Sequence, residues 1–193
     1  GLFTSQNAYG RLPEEMLPQR TLRVQPEDFF AYYRDHMLYL DAHPNNAHRA
    51  LVELEKRGKL TAVITQNIDG LHQAAGSKRV LELHGSVYRN QCLRCGAPYP
   101  VEFMQKSEGI PICSRCGGMV RPDVVLYGEE LDNNVFAQAR DLIGAADMMI
   151  VGGTSLSVYP AAGLLQYYQG DHLVLINRDD TSYDRRADMV LRD

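Results

Sequence analysis

Across residues 26–40 the apolar and aromatic positions Phe29, Phe30, Tyr33, Met37 and Leu40 recur largely at steps of three and four, the spacing of one buried helix face. A second helix is predicted from Pro44 or Asn45, with Ala47, Leu51 and Leu54 on one side and Gly58 as its stop. The period then changes. Residues 60–65, Leu-Thr-Ala-Val-Ile-Thr, form a short β-branched run that reads as a buried strand of a parallel sheet. Further short strands are predicted at residues 80–83, 123–127, 148–151, 172–176 and 188–191, with helices at 134–143 and 160–168. Strands alternating with helices imply an α/β fold built on an open parallel sheet. Residues 86–120 interrupt that rhythm, hold every cysteine and offer little core-forming sequence, so they are expected to be an inserted module.

Length changes the picture only by limiting it. The 193 residues suffice for one α/β domain with a small insert. A net charge of −4 with no basic stretch removes the electrostatic footprint of a nucleic-acid binder. No apolar run approaches the roughly 18 residues that span a bilayer, so no membrane association is expected. The opening Gly1-Leu2-Phe3-Thr4-Ser5 has no charged n-region and no apolar h-region, so it does not read as a signal peptide.

The four cysteines are Cys92, Cys95, Cys113 and Cys116, two C-x2-C pairs separated by 17 residues. Their confinement to one segment favours metal over disulfides, and a reducing, cytoplasmic compartment. Two turns that each present two thiolates can close a tetrahedron around one Zn²⁺. Gly96, Gly117 and Gly118 follow the pairs, where tight turns are expected to need positive φ. Four thiolates leave no open position, which makes the ion structural. Buried free cysteines or a redox pair are the alternatives. Arg94, Arg115 and Arg121 are candidate counter-charges for the thiolates.

Ligands of open α/β sheets bind beyond the carboxyl ends of the strands. Gln66-Asn67-Ile68-Asp69, His84-Gly85, Gly153-Thr154-Ser155 and Asn177 all follow predicted strands. The sequence Gly152-Gly153-Thr154-Ser155 before a helix can cradle a phosphate on backbone N–H groups, or can be an ordinary strand-to-helix turn. His84, at a strand end beside a glycine, is a candidate general base; a structural histidine is the alternative. His36, His43, His48, His72 and His172 are expected to be structural or to face solvent.

Read together, Thr65-Gln66-Asn67-Ile68-Asp69-Gly70-Leu71-His72 and Leu83-His84-Gly85-Ser86 resemble the core motifs of the sirtuin family in its bacterial form. The four-cysteine ribbon follows, then Arg121-Pro122-Asp123-Val124-Val125-Leu126-Tyr127-Gly128-Glu129, Gly153-Thr154-Ser155-Leu156, Val158-Tyr159-Pro160-Ala161-Ala162 and Ile176-Asn177, in the family's order. The resemblance implies a Rossmann-like, doubly wound parallel sheet over residues 1–85 and 121–193 that binds NAD, with a zinc-ribbon module inserted at 86–120. It implies an NAD-dependent protein lysine deacetylase that moves the acyl group of an acyl-lysine protein or peptide to ADP-ribose, releasing nicotinamide and O-acetyl-ADP-ribose.

Carried over residue by residue, His84 is the base that draws a proton from a ribose hydroxyl, and Asn67 assists it. Gln66, Asn67, Ile68 and Asp69 hold the nicotinamide ribose and the nicotinamide. Gly153, Thr154, Ser155 and Asn177 meet the phosphates and the adenosine ribose. Val125, Tyr127, Gly128, Glu129 and Val158 receive the peptide by strand addition. Desuccinylating members carry a Tyr-x-x-Arg pair; the best match here is Tyr33 with His36, without the arginine, which points to neutral acyl groups.

The family's N-terminal strand and Gly-Ala-Gly-x-Ser loop, and its final helix, have no counterpart in these residues, so the 193 residues by themselves are expected not to turn over NAD. Two other functions fit part of the pattern: protein mono-ADP-ribosyl transfer at the same site, and a non-catalytic zinc-ribbon interaction protein.

Overall fold

The computed structural model of the protein describes residues 17–192, and the chain divides after Glu130 into two compact units. In the first, residues 17–19 pair with the segment after the cysteine ribbon: the Gln19 amide donates to the Tyr127 carbonyl at 3.0 Å and the Tyr127 amide to that of Leu17 at 3.2 Å. Helix α1 (Gln19–Val24) leads into α2 (Pro26–His36), which begins on a proline and places Glu27 and Asp28 in its first turn, where the helix dipole favours them. The predicted stripe is its buried face: Phe29, Phe30 and Tyr33 are fully inaccessible and Met37 nearly so. The helix ends at His36, short of Leu40. Helix α3 (Asn46–Lys56) starts from a capping box in which the Asn45 side chain accepts from the His48 amide and the His48 ring returns to the Asn45 amide.

Strands β1 (Val63–Thr65) and β2 (Val80–Glu82) pair in parallel, joined through the short helix α4 (Leu71–Ala75). Strand β3 (Gly85–Cys92) then runs into the cysteine segment. It pairs antiparallel with β4 (Pro98–Tyr99) on one side and β5 (Val120–Val124) on the other, while α5 (Val101–Lys106) lies between the cysteine pairs. The strand predicted at 123–127 is thus shifted back to 120–124 and belongs to the ribbon's antiparallel sheet. The physical signal is a period of two: Val120, Pro122 and Val124 are buried, Arg121 is half-buried and Asp123 is exposed, the alternation of a sheet with one wet face. The segment expected to contribute little core contributes Val87, Ala97, Met104 and Cys113 to the same buried cluster as Phe29 and Phe30.

The second unit is a parallel three-stranded sheet of β6 (Met149–Gly152), β7 (Leu173–Ile176) and β8 (Met189–Leu191), in the order β6-β7-β8. It is preceded by α6 (Asn133–Gly144), whose first turn is capped by Asp132. The helix predicted at 160–168 is a 3₁₀ helix over Ala161–Tyr167. Ala139, Ile143, Leu164, Leu165, Leu173 and Leu175 are buried in this unit. Among the described residues no helix is long and apolar enough to cross a membrane.

Gly85 opens β3 with φ +75°, and a Cβ there would lie 1.9 Å from the Asp123 carbonyl oxygen. We expect Gly85→Ala to destabilise the fold by at least about 1 kcal/mol from the left-handed backbone alone, and more from the clash, measured as a lowered denaturant midpoint; an unchanged midpoint would show that the two strands separate freely there.

Candidate functional site

The Sγ atoms of Cys92, Cys95, Cys113 and Cys116 all lie within 4.8 Å of one another. Cys92 and Cys116 are 3.5 Å apart, and Cys95 and Cys113 3.7 Å. Sulfurs at the corners of a tetrahedron with Zn–S bonds of 2.3 Å stand about 3.8 Å apart, so the donor set fits one structural zinc ion. Gly117 has the positive φ that its turn requires; Gly118 does not, and is a glycine for space, since a Cβ there would lie 2.8 Å from the Arg94 Cβ and 3.0 Å from the Cys92 sulfur.

Sequence reading missed a further partner. The Tyr99 hydroxyl donates to the Cys113 sulfur at 3.1 Å and accepts from the Ser114 amide at 2.9 Å. That hydroxyl, followed by the Arg115 and Cys116 amides, brings the Cys113 thiol down to about 6. Of the expected counter-charges, Arg94 reaches the Cys116 carbonyl, and Arg121 is committed elsewhere.

The polar loop after β1 is held by its own side chains. Thr65 Oγ1 accepts from the Asn67 amide at 3.0 Å, and Asp69 Oδ1 accepts from the Leu71 amide at 3.0 Å. His84 lies half-buried after β2. Its Nδ1 is 3.1 Å from the Gln66 carbonyl, which can only accept, so Nδ1 carries the proton and Nε2 is left as the basic nitrogen. Burial pushes the imidazole below its ordinary value, partly opposed by the Gln66 carbonyl. The structure thus brings Gln66 and His84 into contact, with Asn67 exposed and Ile68 and Asp69 half-buried in the same loop. Among the other histidines, His48 closes the α3 cap and its ring lies 4.7 Å from that of His72.

The segment after β5 is fixed from within. Arg121 grips Glu129 through two bonds of 2.6 and 3.0 Å and also donates to the Val124 carbonyl at 2.7 Å, while the Glu129 carboxylate accepts from the Leu126 amide at 2.9 Å. Burial raises the Glu129 carboxyl, but Arg121 and the Leu126 amide outweigh it and hold it below the ordinary range. Glu129 therefore shapes the segment after β5 that carries Val125, Tyr127 and Gly128. The Val125 amide donates to the His84 carbonyl at 3.0 Å; among the described residues the Val125 carbonyl and the Gly128 amide enter no backbone hydrogen bond.

In the second unit Gly153, Thr154, Ser155 and Asn177 line one cavity of about 430 Å³, beyond the carboxyl ends of β6 and β7, where ligands of parallel sheets bind. Ile176, Arg178, Asp179 and Asp180 complete the wall; the place of the last three just after the end of β7 was the signal that could have found them. The Asn177 amide group donates to the Asp179 carbonyl at 2.8 Å. The hydroxyls, the carboxamide and the loop N–H groups fit a nucleotide's ribose and phosphates. Val158 lies outside that lining and its carbonyl accepts from the Ala162 amide at 2.9 Å.

Parallel strands that end in polar loops, together with a four-thiolate antiparallel ribbon, define a zinc-bearing nucleotide-binding class of protein. The comparisons narrow it. The model of the Sir2 family matches residues 1–160. An NAD-dependent protein deacetylase of Clostridium acetobutylicum is 52% identical over 194 residues, covering 100% of this chain and 79% of that protein. One from Cutibacterium acnes is 52% identical, over 100% of this chain and 79% of its own length. A solved structure of Sir2 with a p53 peptide and NAD+ matches with a TM-score of 0.86 at 38% identity, over 100% of this chain and 79% of that one. The chain belongs to the Sir2 family.

Hydrogen bonds to a metal-bound thiolate tune how firmly it is held. Tyr99→Phe should release zinc to a colorimetric chelator about tenfold faster or more while the folded far-UV signal is kept. Release at the wild-type rate would show that the Tyr99 hydroxyl does nothing for Cys113.

Proposed function

We propose that the protein is an NAD-dependent protein lysine deacetylase, and that His84 is its general base. The observation that carries the second part is the Nδ1–Gln66 carbonyl bond, which orients the ring and leaves Nε2 as the proton acceptor. The relatives at 52% identity over the whole chain support the activity, as does a solved Sir2 bound to an acetylated peptide, matched with a TM-score of 0.86 at 38% identity. We read the chain as a Rossmann-like domain, residues 1–85 and 121–193, with the zinc ribbon at 86–120. The four thiols fit a reducing compartment, which we take to be the cytoplasm.

When bound, NAD supplies an electrophilic ribose carbon and accepts the acyl group, with nicotinamide as leaving group. The chain's own residues do the rest. His84 Nε2 takes the proton of a ribose hydroxyl, and Asn67, exposed at the loop's tip, orients that ribose. Gln66 has two tasks: its carbonyl fixes the His84 tautomer, and its side chain would help to hold the ribose. Ile68 gives the nicotinamide an apolar wall. Asp69 has one carboxylate oxygen committed to the Leu71 amide, which leaves the other for a carboxamide N–H. Gly153, Thr154, Ser155 and Asn177 hold the phosphates and adenosine ribose. The Val125 carbonyl and Gly128 amide offer an extended acyl-lysine peptide the partners of an added strand, with Tyr127 between them in the chain and Glu129 holding that segment. The zinc ion takes no part in the reaction.

In the full-length protein, acetyl-lysine peptide should be deacetylated only with NAD, with stoichiometric nicotinamide release, and His84→Ala should lower kcat by about a hundredfold or more. ADP-ribose left on protein without deacetylated peptide would overturn the proposal in favour of ADP-ribosyl transfer.

A base works in its neutral form, and burial disfavours the charged form. Activity should therefore persist through neutral pH and fall only as the solution is acidified past a midpoint below about 6.5. A midpoint above that value would count against His84.

Tyr33 is fully buried against Phe29, and three residues on stands His36 rather than an arginine. Acetyl-peptide should be preferred to succinyl-peptide in competition; a succinyl preference would sink this reading of the acyl pocket.

A further inference from the structure

Strand β3 does not pair continuously with β5. Ser86 faces Asp123 and Asn90 faces Pro122, so Val87, Tyr88 and Arg89 bulge out between two adjacent ladder positions. Bulges aim side chains that a regular strand could not; here Val87 and Tyr88 meet the polar loop, and Arg89 meets the two strands that flank the His84 turn. The Val87 amide donates to the Ile68 carbonyl at 3.1 Å, inside the polar loop. The Tyr88 ring lies over Gly70, where a Cβ would approach it to 3.0 Å. Arg89 bridges two carboxylates: Nη1 to Glu82 at 2.6 Å and Nε to Asp123 at 2.8 Å.

Glu82 is the last residue of β2, two before His84, and its side chain is only 8% exposed. Its other oxygen accepts from the Gln73 side chain of α4 at 2.8 Å. Asp123 stands in β5, two residues before Val125. The strand entering the His84 turn and the strand returning past it are thus clipped together by one guanidinium, and the hub carboxylate is tied to the helix that follows the polar loop. Arg89 and Asp123 are about half exposed, so that arm alone adds little stability; what the bridge fixes is geometry.

We propose that Arg89 is a positioning residue for the reaction, holding the His84 turn in register between the polar loop and the peptide-accepting strand by bridging Glu82 and Asp123. The inference rests on the deacetylase reading, and its test keeps the two apart. A wild-type full-length protein without NAD-dependent deacetylation would undo that reading first; the Arg89 comparison is made against an active wild type. Arg89→Met should lower kcat about ten- to a hundredfold, the scale of a small misplacement of a catalytic group, with KM for NAD and peptide changed less than about twofold. Arg89→Lys, which can serve one carboxylate, should recover part of kcat.

Because Arg89→Met strands a buried carboxylate, its melting temperature should fall as well. The double variant Glu82→Gln/Arg89→Met removes that charge and separates the two roles: melting should recover while kcat stays low. A kcat that returns to wild type with the melting temperature, or an Arg89→Met protein with wild-type kcat, would overturn the proposal.

Discussion

The hydrogen bond from the Val125 amide to the His84 carbonyl, 3.0 Å long, is the contact on which the first unit depends. The chain leaves for the cysteine ribbon at Gly85 and returns at Val124, and these two residues are paired. The imidazole and the peptide-accepting strand are therefore two faces of one junction. Gly85 permits it, because only a residue without a Cβ can lie against the Asp123 carbonyl.

Two charged pairs frame that junction. Arg121–Glu129 holds the outgoing edge and Arg89–Glu82 the turn before it, with Glu129 15% and Glu82 8% exposed. Withdrawing carboxylates from water costs energy that the ion pair only partly returns, so such pairs are weak sources of stability and better understood as fixing one arrangement. Each carboxylate here has a second donor, the Leu126 amide in one case and the Gln73 side chain in the other. The ions are thus satisfied on more than one side, which is the condition for tolerating them at all.

Much of this was legible in the chain. The helix stripe of Phe29, Phe30 and Tyr33, the start of the second helix near Asn45, the short parallel strands and the thiolate spacing all follow local periods or fixed offsets, and each appears where those offsets put it, give or take a few residues. The polar loops were found because they end apolar runs. What stayed hidden depends on contacts distant in sequence. Residues 120–124 alternate in burial, but Arg121 and Pro122 disguised the pattern. Tyr99 reads as an ordinary ribbon aromatic until its hydroxyl is seen on Cys113. The bulge of Val87, Tyr88 and Arg89 has no local signature, since it exists only as a mismatch between two strands. Glu129 was expected to meet the peptide, and nothing near it in sequence indicates that Arg121 takes both its oxygens.

The pairing of Gly85 with Val124 also has a topological meaning. Neighbouring strands run about 4.8 Å apart, so everything between these two residues begins and ends at almost one point. The remainder of the chain spans no gap on the ribbon's account. A segment rooted in this way can lengthen, shorten or be exchanged for another without altering the distance its flanks must bridge, provided the first ladder pair is kept. The ribbon's length is in that sense free, while its content is bound by the residues it lends to the common core, Val87, Ala97, Met104 and Cys113.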